Sequence, residues 1–577
     1  MTVSSASWRI SSVISIRTHS ASVNMALFKA VQKPVIRNMP AAGAEISPLR
    51  PRYVSKTPPC VGTCPSGADI RGWLTTIAQA EAYGRTRDQA YELAWQKIVE
   101  RNPFPAVCGR VCPHPCEDGC NRGAKEGPVA INALERFVGD FANEKHLKLT
   151  KLSETTYSEK VAVAGAGPAG LSCAYQLARR GYPVTVFEAF SHPGGMLRYG
   201  IPRYRLPLDV MDAEIQRILD LGVELRCNTI IGKDIPLDQL HGEYQAVFVG
   251  IGAHKGLKLG AKGEDAPNVL TGTEFLNRVN SGEKVEVGEK VIVVGGGDTA
   301  IDAARISKRL GAAVTILYRR TRQEMPAIKP EIEGALEEGI DIQFLAAPLE
   351  VLVNDGKAKG IRCIRMTLGE PDASGRRRPI PQPGSEFDIE VSTLIAAISQ
   401  EPEFEGFGAL REGKDWIKVD DSGVTPVDGV YAGGDDVELG LVTIAIAQGR
   451  FAAEAIDARF RGTDLPKPAV PSTIKPERMK PGWYKESARH ERAHIPVSAR
   501  GMETEIEKGL SEEEAFEEAK RCMSCGMCMD CENCWMYCTN NCFVRLPKGE
   551  HYKVKLEVCN GCKKCAEECP CGYIEMV

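Results

Sequence analysis

The sequence predicts an α/β fold in which two Rossmann-like dinucleotide-binding domains lie between two cysteine-rich ends. Two glycine-rich turns, at residues 165–170 and 295–300, each follow an apolar run and precede an amphipathic helix. Six of the 21 cysteines lie between residues 60 and 120, and twelve lie between 522 and 571. A large chain with cysteines confined to its ends indicates metal-cluster ligands in a reducing cytoplasm rather than a disulfide scaffold.

Composition limits the classes of partner. The 577-residue chain has a net charge of −4, which gives no signal for a nucleic-acid partner. It contains no run of about 18 apolar residues, so no membrane span is predicted. Residues 1–30 contain serine and arginine but no acid, as in an organelle transit peptide. We expect instead that Met25 is the start, and that residues 1–50 form an extension that is disordered at its beginning.

The first glycine-rich turn follows the pattern of a dinucleotide-binding fingerprint. Residues 160–188 read KVAVAGAGPAGLSCAYQLARRGYPVTVFE. Gly165 permits a tight turn, Gly167 lets the backbone approach a pyrophosphate, and Gly170 lets the helix pack on the strand. Glu188, at the end of the second apolar run, can accept a hydrogen bond from a ribose 2′-hydroxyl. Because strand, loop, helix, strand and acid occur in order, this unit predicts a dinucleotide site, which suits FAD.

A second unit, at residues 290–320, ends differently. It reads KVIVVGGGDTAIDAARISKRLGAAVTILYRR, so its second strand ends in arginines rather than in an acid. Two guanidinium groups can pair with a 2′-phosphate, which a carboxylate would repel. We therefore predict NADPH here in preference to NADH, which the arginines disfavour but do not exclude. A solvated strand end is the alternative role for the arginines. The predicted contacts are Gly295, Gly297, Asp298, Ala300, Arg319 and Arg320.

A third segment returns the chain to the first unit. Residues 429–450, GVYAGGDDVELGLVTIAIAQGR, offer a strand, a Gly-Gly-Asp turn and a helix. Asp435 would reach a ribityl hydroxyl, and the helix would point its N-terminus at the flavin. With 248–253 and 394–402 as crossover strands, the NADP domain is predicted to be inserted in the FAD domain. The predicted FAD contacts are Gly165, Gly167, Gly170, Glu188, Gly195, Asp435 and Thr443.

Four segments of this region resemble a known family. They are GGMLRYGIPRYRLP (194–207), VVGGGDTAID (293–302), YRRTRQEMPA (318–327) and VYAGGDD (430–436). They resemble the small (β) subunit of NADPH-dependent glutamate synthase. Relatives of that subunit include the amino-terminal half of dihydropyrimidine dehydrogenase and the large subunit of the bifurcating NADH–ferredoxin transhydrogenase. The resemblance spans residues 55–465, departs at Leu208 and Ser399, and implies an iron–sulfur flavoprotein that uses FAD and NADP.

The amino-terminal cysteines, within residues 58–137, allow more than one grouping. On spacing, Cys108, Cys112, Cys116 and Cys120 would form one cluster, and zinc is the alternative to iron. The resemblance instead implies two [4Fe–4S] clusters, with Cys108 as a packed non-ligand. The first would use Cys64, Cys112, Cys116 and Glu135. The second would use Cys60, Cys120 and a C-x-x-C pair.

The missing C-x-x-C pair is predicted at the other end of the chain. In glutamate synthase-type chains the pair lies just upstream of the position of Cys60, where this chain reads SPLRPRYVSKTPP without a cysteine. The segment EEAKRCMSC supplies Cys522 and Cys525 instead. We predict that the carboxyl-terminal end folds back to complete a cluster that begins at residue 60. The alternative is that both thiols are reduced bystanders.

The remaining carboxyl-terminal cysteines follow the two-cluster ferredoxin pattern, in which the fourth cysteine of each run ligates the other cluster. One predicted set is Cys528, Cys531, Cys534 and Cys569. The other is Cys559, Cys562, Cys565 and Cys538. Zinc ribbons need C-x-x-C pairs separated by a knuckle loop, which these runs do not fit. Cys542 and Cys571 remain as structural or free thiols.

These units define a predicted domain order. An extension (1–50) is followed by an α-helical Fe–S domain (51–150). The FAD domain is predicted as two separate segments (158–275 and 396–465), with the NADPH domain (276–395) between them. A Pro-rich linker (466–520) then leads to an α+β two-cluster ferredoxin domain (521–577).

The predicted domains together indicate an NAD(P)H:acceptor oxidoreductase with FAD and four [4Fe–4S] clusters. Hydride carries two electrons and clusters carry one, so a flavin must lie between them. No catalytic acid, base or nucleophile is predicted. A thiol–disulfide flavoenzyme is disfavoured because Cys173, Cys227 and Cys363 form no C-x-x-C pair.

The appended ferredoxin domain points to a redox partner protein. A glutamate synthase small subunit has no such domain. The combination resembles the iron–sulfur flavoprotein associated with dissimilatory sulfite reductase in sulfur-oxidising bacteria. That resemblance implies sulfite reductase as the partner, with electrons flowing toward NAD(P)+. The alternative partner is the glutamate synthase large subunit or another ferredoxin-linked enzyme, and the sequence is compatible with a homodimer.

Overall fold

The computed structural model describes residues 46–411, 416–465 and 471–577, so most of the predicted extension lies outside them. The predicted fold class is confirmed. Along the chain, a helical amino-terminal domain comes first, two domains with parallel sheets follow, and a small cysteine-rich domain comes last. Within the described ranges, no helix has the length and apolar character needed to cross a membrane.

The amino-terminal domain is built on a close helix crossing. Its elements are β1 (Pro51–Tyr53), α1 (Pro59–Thr63), α2 (Ile70–Ala78), α3 (Arg87–Val99), α4 (Pro105–Val111), α5 (Pro115–Asp118) and α6 (Ile131–Glu144). Glycines let α4 and α6 approach, because a Cβ on Gly139 would lie 2.3 Å from the Ala106 nitrogen. The crossing brings Cys112, at the end of α4, beside Glu135 of α6.

The central region alternates strands and helices. In chain order its elements are β2 (Val161–Ala164), α7 (Pro168–Ala178), β3 (Val184–Phe187), α8 (Met196–Tyr199), α9 (Leu208–Leu219), β4 (Glu224–Arg226), α10 (Leu237–Glu243), β5 (Ala246–Val249), β6 (Lys255–Gly256), β7 (Val269–Thr271), α11 (Gly272–Asn280), β8 (Lys290–Val294), α12 (Asp298–Arg309), β9 (Ala313–Tyr318), α13 (Lys329–Glu337), β10 (Asp341–Phe344), β11 (Ala346–Asn354), β12 (Lys357–Pro371), β13 (Arg377–Pro381), β14 (Phe387–Glu390), β15 (Thr393–Ala396), β16 (Gln400–Glu401), β17 (Val430–Ala432) and α14 (Val442–Arg461).

These strands form two parallel sheets, and the segment that forms the second sheet is inserted between two segments of the first. The first has the order β17-β5-β2-β3-β4 and the second has the order β10-β9-β8-β15-β7. The chain leaves the first sheet after β5 and returns to it at β17, as predicted. An antiparallel sheet of β11–β14 follows β10 in the second domain. Each glycine-rich turn lies at the carboxyl end of a central strand, where open α/β sheets bind ligands.

One boundary between the sheets differs from the prediction. Strand β7 pairs with β15, so the second domain begins before residue 276. Strand β15, which overlaps the stretch 394–402 predicted as a crossover strand, lies between β7 and β8 of the second sheet. The antiparallel pair β6–β16, with Gly256 opposite Gln400, links the two domains. Short buried strands at such a junction carry no pattern that assigns them to one sheet.

The carboxyl-terminal elements pack against the amino-terminal domain. They are α15 (Glu512–Lys520), α16 (Asn533–Met536), β18 (Phe543–Arg545), β19 (Tyr552–Val554), α17 (Lys564–Glu567) and β20 (Ile574–Met576). The described portion of the predicted linker, 471–520, ends in α15, and residues 471–511 before that helix contact both neighbouring domains. Arg492 donates to the Gly109 carbonyl at 2.8 Å, and Arg309 donates to the Gly501 carbonyl at 3.1 Å.

Candidate cofactor sites

A cavity of about 650 Å³ opens at the carboxyl ends of β2, β3 and β5. This volume lies in the range of small-molecule and cofactor sites. Five of the residues predicted to contact FAD line it: Gly165, Gly167, Glu188, Gly195 and Asp435. Apolar side chains, including Met196, Leu197 and Val442, supply more of the wall. The first fingerprint and the returning strand therefore meet at one site.

The glycines of this cavity have distinct reasons to be glycine. Gly165 has φ +102°, and a Cβ there would lie 2.2 Å from the Gly250 carbonyl oxygen. A Cβ on Gly170 would lie 2.0 Å from the Gly165 carbonyl oxygen, so this glycine serves packing of α7. A Cβ on Gly167 would approach only the Gly195 Cα, at 3.9 Å, so the protein itself leaves room for a side chain. Gly167 therefore keeps space for a ligand.

Two carboxylates of the cavity are held by backbone amides. Glu188 is buried, and its two oxygens accept hydrogen bonds from Ala166 N at 2.8 Å and Phe190 N at 2.9 Å. Burial raises the pKa of Glu188, and these amide hydrogen bonds oppose the shift. Asp435 accepts from Gly440 N at 3.2 Å and lines the cavity. Both carboxylates keep free lone pairs for ligand hydroxyls.

Thr443 differs from its predicted role. Its side chain is buried but does not line the cavity. The hydroxyl lies 4.0 Å from the Cys112 thiol of the amino-terminal domain. Thr443 is the second residue of α14, and its neighbours Val442 and Ala445 face the cavity instead. The start of α14 thus lies between the flavin cavity and the first cysteine set.

The second glycine-rich turn has the same local geometry as the first. A Cβ on Gly295 would lie 2.1 Å from the Ala397 carbonyl oxygen, whereas one on Gly297 would meet only Pro326 Cγ, at 4.0 Å. Asp298 begins α12 and accepts a hydrogen bond from Ile328 N at 3.0 Å. Ala300 is fully buried against the core of the second domain. The protein therefore leaves open the space that a side chain at Gly297 would occupy.

The two arginines after β9 have different surroundings. Arg319 is exposed at the strand end, as a phosphate ligand requires. Arg320 is 4% exposed, pairs with Asp372 and donates from Nε to the Arg377 carbonyl at 2.8 Å. The prediction that both arginines face a 2′-phosphate is thus wrong for Arg320. Its guanidinium binds the β12–β13 hairpin, a long-range contact that the sequence does not indicate.

The first amino-terminal cysteine set surrounds Glu135. The ionisable side chains near Cys116 include Glu135, Cys64 and Cys112. Asn102 donates to Glu135 Oε1 at 2.9 Å. Burial raises the pKa of Glu135 to about 7, and the Asn102 hydrogen bond opposes the shift. Three thiols and one carboxylate are a donor set that suits a cluster with one non-cysteine ligand.

The second set joins the two ends of the chain. Cys60, Cys120, Cys522 and Cys525 line one small cavity with apolar walls that include Leu74, Ile131 and Met523. Burial raises the pKa of Cys522 to about 11 and that of Cys525 to about 12. Asn121 Nδ2 lies 3.6 Å from Cys525 Sγ. The carboxyl-terminal end therefore folds back onto the position where the sequence lacks its C-x-x-C pair.

Buried polar contacts hold this fold-back. Arg521, 1% exposed, donates to the Pro128 carbonyl at 2.9 Å and to the Gly127 carbonyl at 2.8 Å. Glu518, fully buried, accepts from Ala130 N at 2.7 Å and from Arg521 Nη1 at 2.6 Å. Removing one partner of such a buried pair costs about 3–5 kcal/mol. The segment before Cys522 is thus held by contacts that do not involve the cysteines.

The two ferredoxin-type sets occupy separate cavities with the predicted crossed pairing. Cys528, Cys531, Cys534 and Cys569 line one cavity, which also contains Cys571. Cys538, Cys559, Cys562 and Cys565 line the other, which also contains Cys542. The leftover cysteines lie beside predicted ligands, since Cys571 Sγ is 3.7 Å from Cys569 Sγ and Cys542 N donates to Cys538 Sγ at 3.2 Å.

Some residues at these sites carry no signal in the sequence. Tyr484 is buried, and its hydroxyl donates to the Met523 carbonyl at 2.6 Å. The ionisable side chains near it include Cys525 of the second set and Cys531 of the third, so it lies between the two sites. The sequence likewise gives no indication that Asn102 and Asn121 lie at these sites. Only the spatial arrangement reveals these three.

Comparison with known proteins decides the family. Residues 159–449 match the family described as pyridine nucleotide-disulphide oxidoreductase, and residues 52–147 match dihydropyrimidine dehydrogenase domain II, 4Fe-4S cluster. The NADP(+)-dependent formate dehydrogenase subunit beta of Moorella thermoacetica is 38% identical over 84% of this chain and 72% of its own length. The glutamate synthase [NADPH] small chain of Escherichia coli (strain K12) is 36% identical over 69% of this chain and 88% of its own length.

The chain belongs to the glutamate synthase small subunit-like family of iron–sulfur flavoprotein oxidoreductases. Another relative is the NADPH-Fe(3+) oxidoreductase subunit beta of Geobacter sulfurreducens, 36% identical over 82% of this chain and 76% of its own length. Like its family, the chain has an FAD- and NADP-binding oxidoreductase domain and a 4Fe–4S domain. The 650 Å³ cavity and the open space beside Gly167 fit an FAD.

Proposed function

We propose that this member of the family transfers electrons between NADPH and a partner redox protein, with FAD and four [4Fe–4S] clusters as cofactors. FAD supplies the conversion between hydride and the single electrons that clusters carry. One observation carries the proposal: the first cysteine set lies against the flavin domain. Cys112 Sγ is 4.0 Å from the hydroxyl of Thr443, in the helix whose first turn borders the flavin cavity.

Short chain segments keep the four sets adjacent to one another. The first and second sets share α1, which carries Cys60 and separates it from Cys64 by one helical turn. The second and third sets are joined by residues 525–528, and the third and fourth exchange their final cysteines. Four helical residues span about 6 Å and three extended residues at most about 11 Å. The donor sets therefore follow one another from the flavin cavity to the carboxyl-terminal domain.

The proposed NADPH site rests on the second glycine-rich turn. Gly297 leaves space for a pyrophosphate, and the N–H groups at the start of α12 point to that space. Arg319, exposed after β9, is the proposed 2′-phosphate ligand. Arg320 is not proposed as a phosphate ligand, because its guanidinium binds the β12–β13 hairpin. A single exposed guanidinium favours NADPH while leaving NADH as a poorer donor.

The partner is proposed at the level of class. Sulfite reductase is the partner suggested by the appended ferredoxin-type domain, and the glutamate synthase large subunit is an equally supported alternative. The relatives named as beta subunits align over 84% and 82% of this chain, against 69% for the glutamate synthase small chain. Anaerobic affinity purification from the native cell distinguishes the candidates, because the partner that copurifies is the one served.

Anaerobic titration with NADPH tests the proposed activity. We expect NADPH to bleach both the flavin absorbance and the broad iron–sulfur absorbance of the purified chain, because all the donor sets lie in one continuous series. Low-temperature electron paramagnetic resonance should then show reduced [4Fe–4S] clusters. NADH should cause the same bleaching only at higher concentration than NADPH. Bleaching of the flavin alone, with iron–sulfur clusters present but oxidised, would contradict electron transfer from the flavin to the clusters.

A further inference from the structure

The carboxyl-terminal module obtains one of its strands from the other end of the chain. Within residues 521–577, β18 pairs with β19, whereas β20 pairs with β1. Pro51 lies opposite Met576, and Tyr53 lies opposite Ile574. The pairing continues on both sides of β1, since Arg50 N donates to the Val577 carbonyl at 2.8 Å and Val54 N donates to the Tyr573 carbonyl at 2.9 Å. Strand β20 is thus paired by a strand from about 500 residues away in sequence, in a two-stranded sheet separate from β18–β19.

The two inward residues of β1 face different cysteine sets. Pro51 lines the cavity of Cys538 and its partners. Tyr53 lines the cavity of Cys528 and its partners. Side chains alternate along a strand, so Arg52 points away from both cavities and is exposed. Pro51 and Tyr53 therefore each form part of the wall of one cavity. Arg52, between them, faces solvent and can serve as a control position for substitution.

Tyr53 is fixed in this wall by two contacts. Its ring stacks on Tyr573 with centroids 5.1 Å apart. Its hydroxyl donates to the Tyr552 carbonyl at 2.8 Å. A ring held by these two contacts covers one side of the cavity that Cys528, Cys531, Cys534 and Cys569 line.

The segment before β1 closes over the same module. Ser47 donates from Oγ to the Gly561 carbonyl at 2.8 Å, and Ser47 N donates to the Asn560 carbonyl at 3.1 Å. A Cβ on Gly561 would lie 2.2 Å from the Ser47 carbonyl oxygen, so the two backbones are in direct contact. Gly561 lies between Cys559 and Cys562, which line the same cavity as Cys538.

We propose that the strand Pro51–Tyr53 is a shared wall that shields both carboxyl-terminal cluster sites from water. This inference rests on the proposed function for its two clusters. The shell around a metal site controls solvent access, and with it the reduction potential and the lability of the metal. A reduced cluster carries one more negative charge, so water stabilises it more than the oxidised form. Opening the wall therefore raises the potential of the adjacent cluster.

Substitutions in β1 of the full chain test the proposal. Tyr53→Ala should accelerate loss of iron in air roughly tenfold, the scale of outer-shell effects on metal affinity, and shift one cluster to higher potential. Tyr53→Phe keeps the ring and should behave nearly as wild type. Pro51→Ala should accelerate iron loss from the other carboxyl-terminal cluster and shift its potential upward. Arg52→Ala, in the same strand but facing solvent, should leave both unchanged.

The outcomes separate the wall from other effects. All variants should keep FAD, because the flavin cavity lies in another domain, so FAD content shows that the rest of the chain is folded and that the effect is confined to the carboxyl-terminal module. If Tyr53→Ala unfolds, Tyr53→Leu provides a milder opening with the same expected direction. Equal rates of iron loss in Tyr53→Ala and Arg52→Ala would overturn the proposal. A wild-type chain without iron would instead overturn the proposed function, so the two failures are distinguishable.

Discussion

Replacing Cys522 with alanine is expected to lower the iron content from about sixteen to about twelve atoms per chain, the loss of one [4Fe–4S] cluster. Cys522 lines one cavity with Cys60, Cys120 and Cys525. Among the described residues no other cysteine lines this cavity, so no spare thiolate can replace the lost ligand. The ferredoxin-type cavities each contain a fifth cysteine and should tolerate single losses better. Iron and acid-labile sulfide analysis gives the count.

A double variant shows whether the two ends of the chain share one cluster. Cys60→Ala should cause the same loss as Cys522→Ala, and the double variant should lose no more than either single variant. Cys227→Ala is the matched control, because Cys227 is half-buried in the FAD domain and lines none of the cysteine cavities. Loss of about eight irons in the double variant would assign the two cysteines to different clusters and refute the fold-back.

Replacing Gly167 with alanine is expected to weaken FAD binding roughly 100-fold, which corresponds to about 3 kcal/mol of overpacking against the cofactor. A Cβ at this position would approach only the Gly195 Cα, at 3.9 Å, so the apoprotein should fold normally. The added methyl group would instead occupy the space where the backbone approaches a pyrophosphate. Flavin content after purification and fluorescence titration with FAD measure the effect.

Gly242→Ala is the matched control for the flavin variant. Gly242 lies in α10 of the same domain, and a Cβ there would meet no atom within 4 Å. This variant should retain FAD and be slightly more stable, because alanine is favoured over glycine in helices. A Gly167→Ala protein that binds FAD as tightly as wild type would show that the cofactor does not pass this glycine.

Local spacing explains why much of the site could be predicted. Glycine positions, strand–turn–helix order and C-x-x-C runs are encoded within a few residues, and each requires one local geometry. Gly165 indeed occupies a positive φ, and the crossed pairing of Cys538 and Cys569 appears as two separate cavities. The fold-back of Cys522 is predicted from the family resemblance, which places a C-x-x-C pair where this chain has none.

Contacts between distant segments explain what could not be predicted. Arg320 looks like Arg319 in the sequence, yet a hairpin more than 50 residues later buries it. Thr443 lies in a helix that borders the flavin, but its hydroxyl lies near Cys112 of another domain. The three residues of β1 contain no pattern that links them to a strand at residue 574. Each of these roles depends on tertiary packing, which can override local signals.

Metal and sulfide analysis of the anaerobically purified wild-type chain tests the central claim most directly, because every proposed step beyond the flavin depends on four thiolate-bound clusters. We predict about sixteen irons, about sixteen acid-labile sulfides and one FAD per chain, with a brown colour. Zinc in place of iron, or a yellow protein that holds flavin without sulfide, would contradict the account.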